Sequence, residues 1–141
     1  YWRDSDSTVP QYRLVWHDGG KWGSRVISRR TTPFSLSGGG TKMIPISRPR
    51  IVADGKNVGV IFRDVERDSR VSYAYSTTGC NGEWQTVDLT DFPVGAWEPS
   101  YDTELWRSKQ RLDIFVQQTS QGDGERTVDA APTSVYVLEV R

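Results

Sequence analysis

The sequence predicts an all-β protein, and its composition is the first reason. Among its 141 residues there are six Trp, six Tyr and four Phe, together with 13 Gly and seven Pro. Aromatic residues favour strands, and frequent Gly and Pro are typical of the turns between short strands. Alanine-rich and leucine-rich stretches, which favour helices, are absent from the chain.

A pattern of strands and turns repeats along the chain. Trp2, Phe62 and Phe115 occupy corresponding predicted strands and are separated by 60 and 53 residues. Trp22 and Trp84 each follow a glycine-containing turn, and they lie 62 residues apart. A period of this length, with about four short strands in each unit, is typical of the blades of a β-propeller.

A four-stranded sheet can bury both of its faces only when it lies between two neighbouring sheets. The stacked blades of a propeller provide this arrangement, so their inner strands can be apolar on both faces. Segment 58–62 has no polar side chain, which predicts an inner strand that is covered on both faces. The predicted strands, in chain order, are 1–4, 11–16 and 22–28 in the first blade, 48–53, 58–64, 70–76 and 84–89 in the second, and 98–106, 111–118 and 134–140 in the third.

The chain is predicted to hold one domain, with blade pieces at 1–30, 48–90 and 97–141 and a long inter-blade loop at 31–47. Closed propellers have about four to eight blades, whereas these pieces make about two and a half. We therefore expect the chain to be the C-terminal part of a longer protein, whose N-terminal blades would be its partners. A ring assembled from several copies of the short chain is the alternative.

Charge and hydropathy exclude two classes of partner. The chain has 18 basic and 18 acidic residues, so its formal net charge is zero. Without a basic block it has no electrostatic footprint for nucleic acid. No apolar run approaches the roughly 20 residues that span a bilayer, so we expect no membrane partner. The single cysteine, Cys80, excludes an internal disulfide.

Metal ligands are sparse in the sequence. No CxxC or HxxxH spacing occurs, so a structural calcium or zinc ion would have to be held mainly by blades outside this chain. Within the chain, Asp123 and Glu125 are the candidates for a calcium ligand, because carboxylates in a glycine-rich loop suit that ion.

Six segments together carry a family resemblance. They are PQYRLVWHDG (10–19), TPFSLSGGGTK (32–42), ISRP (46–49), FRDVER (62–67), WEPSYD (97–102) and QGDGE (121–125). As a set they resemble the C-terminal blades of the BNR-repeat, seven-bladed β-propeller polysaccharide lyases, which include ulvan lyases and rhamnose–glucuronate lyases. The resemblance implies a secreted or periplasmic protein that cleaves an acidic polysaccharide at a uronic acid by β-elimination. It also implies that this chain forms one wall of the substrate canyon and that the catalytic His and Tyr groups lie largely in other blades.

Propeller topology places several polar residues on the rim where ligands bind. β-Elimination requires that the substrate carboxylate be neutralised, and the planar fork of an arginine can do so with two hydrogen bonds. Arg48 and Arg63 are therefore the leading substrate-binding candidates, although Arg63 could instead pair with Asp64 or Glu66 and only join blades. The other substrate-binding candidates on this rim are Glu98, Arg3, Trp97 and Gln118.

Two of the rim residues admit several roles. Glu98 could bind sugar hydroxyls or a cation, or it could accept an arginine from a neighbouring blade. Tyr101 is the catalytic candidate, as a proton carrier if its pKa falls. A glycoside hydrolase is an alternative function, but it needs two carboxylates, and Glu98 with Asp64 or Asp4 is the only combination on the rim. A non-catalytic glycan-binding propeller needs arginines and aromatic rings alone.

Overall fold

Nine strands form the framework of the protein in the computed structural model, which describes residues 1–35, 37 and 41–141. The chain is mostly β, with 38% strand and 9% helix. Residues 36 and 38–40 of the predicted loop 31–47 lie outside the described residues. The strands are β1 (Arg13–His17), β2 (Trp22–Val26), β3 (Arg50–Asp54), β4 (Asn57–Arg63), β5 (Val71–Ser76), β6 (Gln85–Asp88), β7 (Ser100–Tyr101), β8 (Leu112–Gln117) and β9 (Val135–Val140).

The first sheet pairs β1 with β2 in antiparallel register. An isolated antiparallel bridge joins Trp2 to Gln11 just before β1. The turn between the strands is closed by Asp18, whose carboxylate accepts a hydrogen bond of 3.1 Å from the backbone N–H of Lys21. Gly19 adopts φ 87° in this turn, a conformation that only glycine tolerates readily.

The second sheet contains β3, β4, β5 and β6 side by side in chain order. Every position of β4 after Asn57 is buried, which confirms the prediction of an inner strand covered on both faces. On one face Phe62 packs against Tyr12, with ring centroids 4.8 Å apart. On the other face Ile61 belongs to the same cluster as Trp97. The second sheet is therefore the middle layer of the molecule.

The third sheet contains β7, β8 and β9 in that order. The predicted strand 98–106 is wrong beyond Tyr101, because helix α1 (Thr103–Lys109) follows β7 directly. Asp102 caps this helix, since its carboxylate accepts a 2.8 Å hydrogen bond from the backbone N–H of Leu105. Gln110, which has φ 51°, caps the C-terminal end of the helix. Neither α1 nor any other helix in the described part of the chain has the length and apolar character to cross a membrane.

Two hydrophobic clusters join the three sheets. The cluster between the first and second sheets contains Tyr12, Ile46, Val60, Phe62 and Ala74. The cluster between the second and third sheets contains Val52, Ile61, Val71, Val94, Trp97, Leu112, Ile114 and Val116. Because burial of apolar surface is the main driving force of folding, these clusters fix the sheets face to face and position the loops at their ends.

The outward faces of the first and third sheets carry exposed apolar side chains. Trp22 on β2 is 76% exposed, and Val135 and Val137 on β9 are 62% and 58% exposed. In a propeller, a neighbouring blade would cover each of these faces. The number of blades and the closure of the ring stay predictions.

Candidate functional site

A cavity of about 890 Å³ opens where the ends of the second and third sheets meet. Residues 41–45, which precede β3, form one side, and residues 119–121, which follow β8, form another. Tyr1 completes the wall. The charged residues that line the cavity are Lys42, Arg48, Arg63 and Glu98. The cavity therefore contains three of the predicted substrate-binding residues, and we call it the arginine pocket.

Arg63 is the last residue of β4 and is only 4% exposed. Its guanidinium Nε donates a 3.1 Å hydrogen bond to the carbonyl of Trp97. No carboxylate of the described residues forms an ion pair with it, and Asp64 and Glu66 both pair with Arg30 instead. The predicted ion pair of Arg63 with Asp64 or Glu66 is therefore wrong, but the hydrogen bond to Trp97 does join β4 to the segment before β7.

Burial governs the electrostatics of Arg63. It lowers the pKa of the guanidinium, while the nearby Tyr12, Glu98 and Asp64 act in the opposite direction. An arginine has so high an ordinary pKa that this group stays protonated at neutral pH. The pocket thus contains a partly desolvated cation whose attraction for an anion is weakly screened by water.

Tyr12 fixes the backbone that carries Arg63. Its hydroxyl donates toward the carbonyls of Ser47 at 2.8 Å and Arg63 at 3.1 Å. The Ser47 hydroxyl in turn accepts a 2.8 Å hydrogen bond from the Arg63 N–H. Burial raises the pKa of Tyr12 well above its ordinary value, so its hydroxyl remains a donor at neutral pH. Sequence reasoning missed this residue, because its partners lie 35 and 51 positions away.

Arg48 and Glu98 meet although they are 50 positions apart. The backbone N–H of Arg48 donates a 2.8 Å hydrogen bond to Glu98 Oε2. Glu98 therefore does accept from a neighbouring sheet, but from the backbone and not from a guanidinium. Within the described residues the Arg48 side chain has no ion-pair partner, and it is exposed at the pocket. It is free to meet a ligand carboxylate with its planar fork.

The two loops of the arginine pocket are tied to each other. Asp123 Oδ1 accepts a 2.6 Å hydrogen bond from the backbone N–H of Met43, and the Gly124 N–H donates to the Thr41 carbonyl at 2.8 Å. Asp123, predicted as a calcium ligand, thus bridges two loops, and the Glu125 side chain lies outside the described structure. No group of three or more His, Cys, Asp or Glu side chains suited to a metal ion occurs in the part of the chain described.

Gly95 allows the loop at residues 119–121 to lie directly against the neighbouring wall of the arginine pocket. It forms a parallel bridge with Thr119 and has φ 63°. A Cβ atom at this position would lie 2.1 Å from the Thr119 carbonyl oxygen, far inside van der Waals contact. Only glycine therefore fits here without moving residues 119–121, which line the pocket.

Two predicted site residues, Trp97 and Tyr101, do not line the arginine pocket. Trp97 is 5% exposed in the core, and its indole N–H donates a 2.9 Å hydrogen bond to the Phe115 carbonyl. Tyr101 lines a separate cleft beside β3, where its hydroxyl is 3.5 Å from the carbonyl oxygen of Ile51. Trp97 contributes to the site only through its backbone carbonyl, which accepts the hydrogen bond from Arg63. Tyr101 contributes to a different cleft.

The remaining two candidates flank the arginine pocket. Gln118 is exposed, and its side-chain amide donates a 3.0 Å hydrogen bond to the Pro93 carbonyl. Arg3 lines a smaller cleft together with Tyr1, Trp2 and Phe34. That smaller cleft shares the Tyr1 side of the arginine pocket, so Arg3 lies next to the candidate site.

No protein-family model matches this chain, and no curated protein matches it either. The protein is mostly β with antiparallel sheets, and two arginines and one glutamate line its candidate pocket. What such a pocket can bind follows from its chemistry.

Proposed function

We propose that the arginine pocket binds a uronate-containing acidic glycan and that the protein cleaves this glycan by β-elimination. The observation that supports the proposal most is the state of Arg63. It is a buried guanidinium that lines the cavity and has no carboxylate partner among the described residues. Its guanidinium donates to the carbonyls of Trp97 and Ile44, so a ligand carboxylate would supply the directly paired counter-charge that these carbonyls do not.

The proposed reaction needs a cation in this position. A base removes the proton from C5 of the uronate, the electron pair forms the C4–C5 double bond, and the C4–O4 bond breaks with protonation of the leaving oxygen. Negative charge develops next to the carboxylate, so fixed donors on the carboxylate stabilise the transition state. Arg63 would hold one face of the carboxylate, and Arg48 would approach it from the exposed side.

The base and the acid of this reaction are proposed to come from blades outside the chain, as the family resemblance implies. Tyr12 and Tyr101 do not offer a hydroxyl to the arginine pocket, since one is buried in the core and the other faces a separate cleft. The proposal therefore gives this chain the binding wall of a seven-bladed propeller. Neighbouring blades would cover the exposed faces of the first and third sheets, and the protein would be secreted or periplasmic.

The test uses the whole protein with ulvan and with a rhamnose–glucuronate polysaccharide. The lyase proposal expects a rise in ultraviolet absorbance from unsaturated uronate products. Arg63→Met and Arg48→Ala should each reduce the rate strongly. Arg107→Ala is the matched control, because Arg107 is an exposed arginine on α1 that pairs only with Glu104 in the described chain. Absence of unsaturated product from both glycans would refute the reaction.

A non-catalytic glycan-binding function is the second candidate, and one observation favours it. Glu98 is the only carboxylate that lines the pocket among the described residues, so a pair of carboxylates is not assembled there. A glycoside hydrolase is disfavoured for the same reason, since Asp64 pairs with Arg30 and Asp4 with Arg13. Binding that depends on Arg48 and Arg63 without any cleavage would support the binding function.

A further inference from the structure

A second cleft lies between the first and second sheets and has a volume of about 520 Å³. Arg25 on β2 and residues 26–30 form one wall. The other wall contains Trp84, Thr86 and part of the 3-10 turn Val65–Arg67. Among the described residues, this cleft shares none of its lining with the arginine pocket. We call it the inter-sheet cleft.

Positive charge is in excess along the inter-sheet cleft. Among the described residues, its charged lining consists of Arg25, Arg29, Arg30 and Arg67 with Asp64 and Glu66. Both of these carboxylates pair with Arg30, and Arg67 pairs at 2.7 Å with Asp88, which does not line the cleft. Arg25 and Arg29 have no ion-pair partner within the described structure. These two cations therefore remain for a ligand.

Arg25 is held in place by the turn between β5 and β6. Its Nη1 donates hydrogen bonds to the carbonyls of Gly82 and, at 3.0 Å, Cys80. The indole N–H of Trp84 donates to the same Cys80 carbonyl at 3.2 Å. The guanidinium and the ring are thus positioned in advance, which lowers the entropic cost of binding. Nε and Nη2 of Arg25 have no partner in the described structure, and this edge of the guanidinium suits a phosphate with two hydrogen bonds.

Hydrogen-bond donors also exceed acceptors on the wall that follows β2. Arg29 is exposed and makes no hydrogen bond or ion pair within the described chain, so its five N–H groups are available. Arg30 is buried, and its Nε has no hydrogen-bond partner among the described residues although its Nη groups meet Asp64 and Thr32. An oxyanion supplies the acceptors that this wall lacks.

We propose that the inter-sheet cleft binds a dianionic phosphate group between Arg25 and Arg29, independently of any glycan in the arginine pocket. Two unpaired guanidinium groups match two negative charges, and their planar forks match phosphate oxygens. A phosphate monoester has a second pKa of about 6 and is therefore mainly doubly charged at neutral pH. Glu66 does not occupy these cations, because its carboxylate is held by the Thr31 and Thr32 N–H groups and by Arg30.

The test measures binding to the whole protein by isothermal titration calorimetry at constant ionic strength. The probes are inorganic phosphate and phenyl phosphate, which share the proposed chemistry. Both should bind the wild type, and Arg29→Met should weaken each affinity by at least about tenfold, because a charge-assisted contact is lost. Arg25→Met should do the same. Tighter binding of phenyl phosphate would support an ester as the natural ligand, and equal affinities would support free phosphate.

Two controls locate the bound phosphate. Arg48→Ala removes an exposed cation of the arginine pocket and should leave the affinity for phosphate unchanged. Arg29→Met should leave glycan cleavage unchanged, because Arg29 does not line the arginine pocket. Circular dichroism checks the fold of each variant, and Arg29→Met decides the test, since Arg29 makes no contact in the described structure that the substitution would remove.

The charge of the ligand is tested by pH. Phenyl phosphate should bind about tenfold more weakly at pH 5 than at pH 7.5, because about a tenth of it is dianionic one unit below its second pKa of about 6. Inorganic sulfate is dianionic at both pH values and should keep its affinity. It also reports any effect of titrating Asp64, Glu66 or Asp88, the carboxylates at the cleft.

Three results would overturn the proposal. The first is that phosphate does not bind, or binds wild type and Arg29→Met equally. The second is that binding is lost in Arg48→Ala and retained in Arg29→Met, which would place the phosphate in the arginine pocket. The third is that phenyl phosphate has equal affinity at pH 5 and pH 7.5, which would contradict a dianion site. None of these results refutes glycan cleavage, so the failure of this proposal is distinguishable from that of the proposed function.

Discussion

Arg30 and Arg63 are two buried arginines near Asp64, and their side chains have different partners. They are 5% and 4% exposed, so both lose water to a similar degree. Arg30 pairs with Asp64 and also reaches Glu66. Arg63 contacts only carbonyl oxygens through its side chain in the described structure. The same residue type is therefore an ion-paired cation at one site and, at the other, a cation held by carbonyl oxygens with no ion-pair partner among the described residues.

The largest expected effect comes from removing the partner of Arg30. Asp64→Ala leaves a buried cation without its main counter-charge, so the free energy of unfolding should fall by about 3–5 kcal/mol. Urea unfolding followed by tryptophan fluorescence measures this change. Asp4→Ala is the control. The Asp4 carboxylate pairs with Arg13 but is 49% exposed, and exposed ion pairs contribute little to stability. Equal effects of the two variants would contradict the structural role given to Arg30.

Arg63→Met should show the opposite balance of effects. Methionine keeps much of the side-chain volume and leaves no carboxylate unpaired, so the free energy of unfolding should fall by less than about 2 kcal/mol. Affinity for a uronate glycan should fall by about 100-fold, because a desolvated charge contact is lost. Calorimetric titration with the glycan and urea unfolding of the same sample separate the two effects. A large loss of stability with unchanged affinity would make Arg63 a structural residue like Arg30.

A smaller effect is expected from Tyr12→Phe. The variant removes the donor shared by the Ser47 and Arg63 carbonyls, which should lower the free energy of unfolding by about 1–2 kcal/mol. Glycan affinity should also weaken, but less than in Arg63→Met, because the guanidinium remains. Tyr75→Phe is the control, since within the described residues the Tyr75 hydroxyl donates only to exposed Gln85, at 3.0 Å. Unaltered stability of Tyr12→Phe would show that the network does not hold the pocket.

The smallest effect concerns Glu66, whose contribution to stability is present at neutral pH and is lost in acid. Burial acts to raise the pKa of Glu66, but the N–H groups of Thr32 and Thr31 and the Arg30 charge outweigh it and lower that pKa. The stabilisation is complete above the unfolded value of about 4.3 and is lost as pH falls through the lower folded value. Unfolding midpoints of wild type and Glu66→Gln should therefore differ at neutral pH and converge in acid. A gap that stays constant with pH would rule this out, and exposed Glu83→Gln is the control.

Much of the fold and part of the site could be predicted from the sequence because both depend on patterns that repeat locally. The apolar segment that became β4 showed that both of its faces are covered. The strand after Glu98 was predicted too long, because Asp102 starts a helix through its cap, and a single capping residue is a weak signal in a short segment. Propeller closure, secretion and the lyase reaction stay predictions.

The sequence by itself determined that the protein is mostly β, where the inner strands lie and that Arg48, Arg63 and Glu98 share one end of neighbouring sheets. Only the tertiary structure decided that Asp64 pairs with Arg30 and not with adjacent Arg63, and that Tyr1, Trp2 and Phe34 form one cleft. The physical reason is that strand patterns depend on neighbours in the chain. Ion pairs and ring contacts depend on distances between residues tens of positions apart, which packing alone sets.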